Sequence, residues 1–299
     1  MISAMRNIKI MFQKTMEKRL QRANWKSSCT AQTPVSVAKQ MFDESAPVFI
    51  VSTGRCGSAS MQNLFAQFQE IDSYHEAFPV LMMEANKLYS RQDDVQLLND
   101  IFLAARQEII LESFIRNKIF LESNQILSFL IPSVASLFKK ARIVHLVRHP
   151  GSFIVSAAQK GWYQNDTIWE NSRIRMNSID TWQKLSQIEK LAWYWGKVNG
   201  LIDEQAKDNL HSDQYLRVKI EDLSRSESIH QLVRFCGIET GSTKIKMPRV
   251  NKRKIIYKND RENMHRNINI QSYNRWDEEQ KGTIRTFVND LSSEYGYSL

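Results

Sequence analysis

Five short apolar runs, interleaved with longer stretches of helical periodicity, restrict this chain more than any other feature. The runs cover 48–52, 71–74, 118–121, 142–147 and 215–220. They have strand length and are rich in β-branched and aromatic residues. Between them, apolar residues recur at helical spacing over 60–68, 126–139, 151–159 and 186–206. Strands in series with helices pair in parallel, because each helix returns the chain to the starting edge of the sheet. The expectation is an α/β fold of three layers: a central parallel sheet of about five strands with helices on both faces. Ligands of such sheets bind beyond the carboxyl ends of the strands, so the residues just after each run carry the functional argument.

With 299 residues, the chain can form one large α/β domain. The boundary falls near the break at Asp43-Glu44-Ser45-Ala46-Pro47, leaving a tail over 1–45 and a domain over 46–299. Cys29, Cys56 and Cys236 are odd in number and lack CxxC spacing, which points to a reducing compartment and to no zinc site. The six histidines form no HxxxH or HExxH pair, so no metal is expected. The net charge of +9 is uneven. Residues 1–40 hold eight bases against one acid, residues 244–266 hold nine against two, and the remainder is net −5. Two patches of +7 suit a nucleic-acid binder, or an enzyme with an anionic donor and an anionic acceptor or membrane surface. No run approaches the ~18 apolar residues of a membrane span. The N-terminus also lacks the apolar core and cleavage site of a secretion signal, so a cytoplasmic location is expected. Met5, Ile8, Phe12, Met16 and Leu20 share one helical face with basic residues around them. Such a tail either lies on the inner membrane surface as a peripheral contact or docks on the body.

The first run leads into Ser52-Thr53-Gly54-Arg55-Cys56-Gly57-Ser58-Ala59-Ser60, and then into a helix marked by Met61, Leu64, Phe65 and Phe68. A strand, a glycine loop and a helix start together offer backbone N–H groups and a helix dipole to an anion. Gly54 and Gly57 allow close approach, Ser58 adds a hydroxyl, and Arg55 brings a cation into the loop. No Lys-Ser/Thr pair follows Gly57, so this is not a Walker A loop.

The fourth run ends in Arg148-His149-Pro150-Gly151, and the following helix carries Ser156. An arginine at a strand end and a serine eight residues later can grip a second phosphate, with a forked guanidinium contact and a hydroxyl. Together the two segments resemble the 3′-phosphoadenosine 5′-phosphosulfate (PAPS)-dependent sulfotransferase family, and its carbohydrate- and tyrosylprotein-type members more than its small-phenol type. The resemblance covers about 47–297. It includes Glu189-Lys190-Leu191-Ala192-Trp193-Tyr194-Trp195 with Asn199, the segment Tyr215 to Leu223, and Trp276 with Tyr295-Gly296-Tyr297. It implies a P-loop NTPase-like fold with PAPS as co-substrate, adenosine 3′,5′-bisphosphate as product, and no required metal. It assigns Gly54, Arg55, Cys56, Gly57, Ser58, Ala59 and Ser60 to the 5′-phosphosulfate, and Arg148 with Ser156 to the 3′-phosphate. Cys56 and Ala59 stand where the family often has Ser or Thr. Near a helix N-terminus, the Cys56 thiol could have a lowered pKa or simply fit a tight loop. Lys252-Arg253-Lys254 stand in for an adenine loop that is not recognisable, or form a solvated basic loop.

Sulfuryl transfer to a hydroxyl needs in-line geometry, charge stabilisation and a base. Arg55 is placed to meet the bridging oxygen. The second run ends at Tyr74-His75-Glu76, and members of the resembled family carry a base Glu shortly after the loop helix. Glu76 is therefore the expected base, with His75 as the rival because its ordinary pKa suits neutral pH. In an extended segment these two side chains face opposite ways. Glu122, also on the ligand edge, orients the acceptor, balances Arg55 or caps the helix near Asn124. Trp162, Tyr163, Trp169 and Trp182 form an acceptor pocket or pack a lid.

The expected activity is O-sulfation of a small-molecule or glycan acceptor, carbohydrate or glycolipid-like, with no nucleic acid as partner. A P-loop nucleotide kinase is the alternative, but it calls for a Lys-Ser/Thr after the loop glycine and an acidic strand end for Mg²⁺. A non-catalytic nucleotide-binding adaptor is another, and it predicts loss of Arg55, Arg148 or Glu76, all present. Acceptor identity and oligomeric state are not written in the sequence.

Overall fold

The computed structural model describes residues 34–164, 168–241, 245–248 and 271–299. The chain divides into two compact units, Met1–Lys39 and Gln40–Leu299, and nearly all described residues belong to the second. The amphipathic pattern over residues 5–20, Cys29 and the Lys252-Arg253-Lys254 loop lie outside the described residues. The helix Pro34–Glu44 (α1) ends inside the larger unit, where Met41 is fully buried.

Five strands form one sheet in the order β2-β3-β1-β4-β5: Val48–Val51 (β1), Ile71–His75 (β2), Ile119–Ser123 (β3), Arg142–Val147 (β4) and Tyr215–Lys219 (β5). All four pairings are parallel; Val48 faces Leu121 on one side and Arg142 on the other. The fold is thus the expected three-layer α/β arrangement. Side chains alternate across the sheet with a period of two. Val48, Ile50, Leu121, Val144 and Leu146 join one core, against Met61, Leu64 and Phe65 of the loop helix Ser58–Phe65 (α2) and Leu232 and Val233 of a later helix. Phe49, Val51, Phe120, Ile143 and Val147 join the other. Burying a side chain such as Phe49 completely contributes about 1.5–3 kcal/mol, so both faces hold the sheet in register.

The second face is covered by Val95–Ile115 (α3), Ile131–Leu137 (α4), Pro150–Ala158 (α5), Gln187–Asn209 (α6) and the C-terminal Glu278–Glu294. The helix expected over 126–139 is in fact a 3₁₀ turn, Gln125–Phe129, followed by α4. Pro132 near the start of α4 permits a new helix there but cannot extend the preceding turn. The long helix α3 escaped the sequence reading. Its buried stripe, at Leu98, Phe102, Ala105, Arg106, Ile109, Ile110 and Ser113, has helical spacing but includes a charged and a hydroxyl residue. Helix α6 starts from a capping box in which Ser186 and Glu189 satisfy each other's backbone N–H groups.

A buried polar network ties β4, β5, α6 and the C-terminal helix together. His145, fully buried on β4, lies 2.7 Å from the Tyr215 hydroxyl and 2.9 Å from Asn199 Oδ1. Tyr215 and Tyr295 each donate to Asp203. Burial works against a charge on Asp203, but bonds with His145, Tyr215 and Tyr295 hold its carboxyl well below the usual carboxylate range.

Candidate functional site

The site is built at the carboxyl edge of β1, where β1 passes into α2 through 52–57. Three left-handed residues shape the loop. Gly54 (φ 77°) and Gly57 (φ 91°) lie in the left-handed region, and so does the non-glycine Arg55 (φ 55°). At Arg55 this costs about 1–3 kcal/mol, which the surrounding contacts must hold. At Gly54 a side chain is excluded twice over. The conformation disfavours one, and a Cβ would come within 2.0 Å of Gln125 Oε1 and 3.1 Å of Trp162 Cη2.

Gly57 caps α2 without a side-chain hydrogen bond. Ser60 and Met61 already donate to the Gly57 carbonyl, whereas the backbone N–H groups from Arg55 to Ala59 donate to no described residue. Unpaired N–H groups at a helix start carry partial positive charge, which is the electrostatic requirement for holding an oxyanion. Gly54 N–H itself is tied to Ser52 Oγ at 3.0 Å, which tightens the turn.

Arg148, at the end of β4, crosses to this loop and donates from Nη1 to the Arg55 carbonyl at 2.7 Å. Arg55 Nε in turn donates to Ser156 Oγ on α5 at 3.2 Å. The two segments singled out in the sequence therefore converge on one place. Burial, followed by the neighbouring Arg148 charge, pulls the Arg55 guanidinium below its ordinary pKa. Neither arginine forms an ion pair with a carboxylate among the described residues. Two adjacent cations, one largely desolvated, thus have no carboxylate in direct contact among the described residues, an arrangement suited to an anion.

The Cys56 thiol is buried, 3.2 Å from Thr53 Oγ1, and donates to the Gly54 carbonyl at 3.1 Å. Burial pushes its pKa up to about 11. The sequence had left open a lowered thiol pKa beside the helix start; desolvation outweighs the nearby arginines, so Cys56 is a neutral space-filling residue of the turn.

His75 is the last residue of β2, and its Nε2 lies 2.9 Å from Ser58 Oγ in the loop. Glu76 takes a left-handed backbone, φ 47°, and its N–H donates to the Ser123 carbonyl at 3.1 Å. The segment does not stay extended, so the expected strict alternation of the two side chains does not apply. Glu76 is close enough to raise the pKa of Arg55 through its charge, though burial and Arg148 outweigh it. Among the described residues its carboxylate accepts no hydrogen bond, whereas the His75 ring is engaged with Ser58.

Glu122 neither balances Arg55 nor caps a helix. It is fully buried in a two-point ion pair with Arg106 of α3, through Nε at 2.5 Å and Nη2 at 2.9 Å. The capping role belongs to Asn124, whose side chain accepts from Ile126 N–H. Sequence reasoning missed Arg106 because it sits within an apolar helix face and belongs to no local motif.

Arg173 was missed as well. It is buried with its guanidinium 3.6 Å from the Trp162 ring centroid, it pairs with Glu170 at 3.0 Å, and its charge also lowers the Arg55 pKa. Trp162 and Trp182 are both buried, Trp162 against Phe153 and Tyr194, and Trp182 against Tyr163 and Trp193. Trp162 packs beside Gly54, and both rings are spent on contacts with other aromatic residues; the side chain of Trp169 lies outside the described residues.

A family model described as "Sulfotransferase family" matches residues 47–242. No curated protein sequence matches. Among solved structures, the chain is similar to the sulfotransferase domain from the Synechococcus PCC 7002 olefin synthase. That pair is 15% identical over 86% of this chain and 97% of the other, with a TM-score of 0.50. The sulfotransferase domain from the curacin biosynthetic pathway is 15% identical over 85% and 99%, with a TM-score of 0.48. Mouse sulfotransferase SULT7A1, solved in complex with PAP, is 13% identical over 90% and 96%, with a TM-score of 0.45. At these identities the likeness is one of fold.

Proposed function

The chain belongs to the sulfotransferase family, and from that premise we propose that it moves a sulfuryl group from PAPS to a hydroxyl of a carbohydrate or glycolipid-like acceptor. The observation that carries this reading is the convergence of Arg55, Arg148 and Ser156, with two cations that lack a carboxylate partner among the described residues. An anion with phosphate at both ends of a nucleoside answers that arrangement.

In the proposed reaction the backbone N–H groups of 55–59, with the Ser58 hydroxyl, hold the 5′-phosphosulfate. Arg148 and Ser156 hold the 3′-phosphate, the group that distinguishes PAPS from ATP. The acceptor oxygen attacks sulfur in line with the bond to the 5′-phosphate. As the new S–O bond forms, the bond to that phosphate breaks, and adenosine 3′,5′-bisphosphate leaves with the bonding electrons. Arg55 stabilises the negative charge that grows on the bridging oxygen. Glu76 takes the acceptor proton; its unbonded carboxylate supports this role over His75, which is held by Ser58. The chemistry assigns no step to a metal.

Thermal shift tests the reading directly. Adenosine 3′,5′-bisphosphate is expected to raise the melting temperature, and ATP with Mg²⁺ is not; a shift with ATP alone overturns it. Transfer of label from PAPS across carbohydrate, lipid, phenol and peptide acceptors then identifies the acceptor.

A further inference from the structure

A left-handed glutamate at the end of a strand needs its backbone held if its carboxylate is to keep one orientation. The groups that hold it belong to no motif. Glu76 is bracketed by hydrogen bonds to the end of β3: its own N–H goes to the Ser123 carbonyl at 3.1 Å, and the next N–H, of Ala77, goes to Glu122 Oε1 at 3.1 Å. Glu122 is itself fixed by Arg106 on both oxygens and by Asn124 Nδ2 at 3.0 Å. Arg106 also reaches the far end of the same turn, donating from Nη1 to the Pro79 carbonyl at 2.9 Å. Both side chains are fully buried. One ion pair thus grips the turn 76–79 at two points and anchors it to α3 and β3.

We propose that Arg106 and Glu122 are positioning residues for sulfuryl transfer, holding the backbone of the Glu76 turn so that the carboxylate faces the acceptor oxygen. A buried ion pair is weak evidence for net stability, because desolvation offsets much of the attraction. Its value here is geometric, since two parallel N–H···O contacts fix orientation as well as distance. Neither residue touches donor or acceptor. The inference rests on the proposed base and deepens it.

The test is a double-mutant comparison that needs no identified acceptor. Labelled PAPS is incubated with the full chain, and release of sulfate to water, standing in the acceptor's place, is measured per folded molecule. Affinity for adenosine 3′,5′-bisphosphate is measured alongside. Arg106→Lys is expected to leave that affinity within about threefold of the parent and to slow sulfate release by at least about tenfold, as a base displaced by a fraction of an ångström would. In a Glu76→Gln background the same substitution is expected to change the rate less than about twofold, because the group it positions is gone. An equal fall in both backgrounds, or none in either, overturns the positioning role. If the lysine variant does not fold, Glu122→Gln, of nearly the same shape, carries the same comparison. A parent protein that neither binds the bisphosphate nor releases sulfate overturns the reading of the site itself, an outcome distinct from failure of the pair.

Discussion

Arg55 Nε donates to the hydroxyl of Ser156 at 3.2 Å across 101 residues of sequence, and this bond joins the loop after β1 to the helix after β4. With Arg148 donating to the Arg55 carbonyl, it makes the two segments proposed to bind the donor one structural unit.

Arg148→Ala should weaken adenosine 3′,5′-bisphosphate by one charged hydrogen-bond partner, about 1.5–3 kcal/mol or roughly 10–150-fold. The weaker binding of adenosine 5′-monophosphate, which lacks the 3′-phosphate, should hardly change. Isothermal titration with both ligands checks this. An equal loss for both would assign Arg148 to loop folding alone.

Glu76→Gln should lower turnover by about 10²–10⁴-fold, the usual range for a general base, while bisphosphate affinity stays near that of the parent. His75→Gln should instead act mainly on donor affinity, through the loop hydroxyl Ser58 that it contacts. Steady-state rates and titrations of the two variants separate these roles. Full turnover by Glu76→Gln would move the base to His75.

The thiol of Cys56 should resist alkylation in the folded protein at pH 8, since burial pushes its pKa up to about 11 from an ordinary value of 9.0. The sign follows from proton linkage. The folded state holds the proton more tightly than the unfolded chain, so this contribution is complete below pH 9.0 and is lost as pH rises through about 11. Urea denaturation at pH 8 and pH 10.5, compared with Cys56→Ala, measures it. The parent should lose more stability between the two pH values than the variant.

Deleting residues 297–299 should weaken donor binding several-fold, although none of them belongs to either anion-binding segment. Tyr297 donates to Glu221 at 2.9 Å, Glu221 accepts the His149 N–H at 3.0 Å, and the His149 ring lies 2.9 Å from the Ser298 carbonyl. This chain end braces the turn that follows Arg148. Bisphosphate titration of the truncated protein is the measurement, and unchanged affinity would show that the turn stands without the brace.

Much of the fold was legible because strand and helix periodicities are local. All five strands were found to within two residues at either end; the inner strands β1, β3 and β4 are buried almost throughout and read as largely apolar runs, whereas the edge strands β2 and β5 are only half-buried. Helix α3 was not found, because Arg106 and Ser113 interrupt its buried stripe. The glycines of the loop and the spacing of Arg148 from Ser156 were visible for the same local reason: a tight turn, and a strand end with the short helix after it, each leave a signature within one continuous segment.

The sequence by itself determined the sheet-and-helix class, the glycine loop after the first strand and the presence of cations at two strand ends. Only the tertiary structure decided what those groups meet. Burial, not the helix start, sets the Cys56 thiol; Arg106, not Arg55, takes Glu122; and Ser58 takes His75, leaving the Glu76 carboxylate unbonded among the described residues. The physical reason is common to all three. Charge, desolvation and hydrogen bonding act through space over a few ångströms, and the partners lie 16 to 17 residues apart in the last two cases, where no sequence period links them.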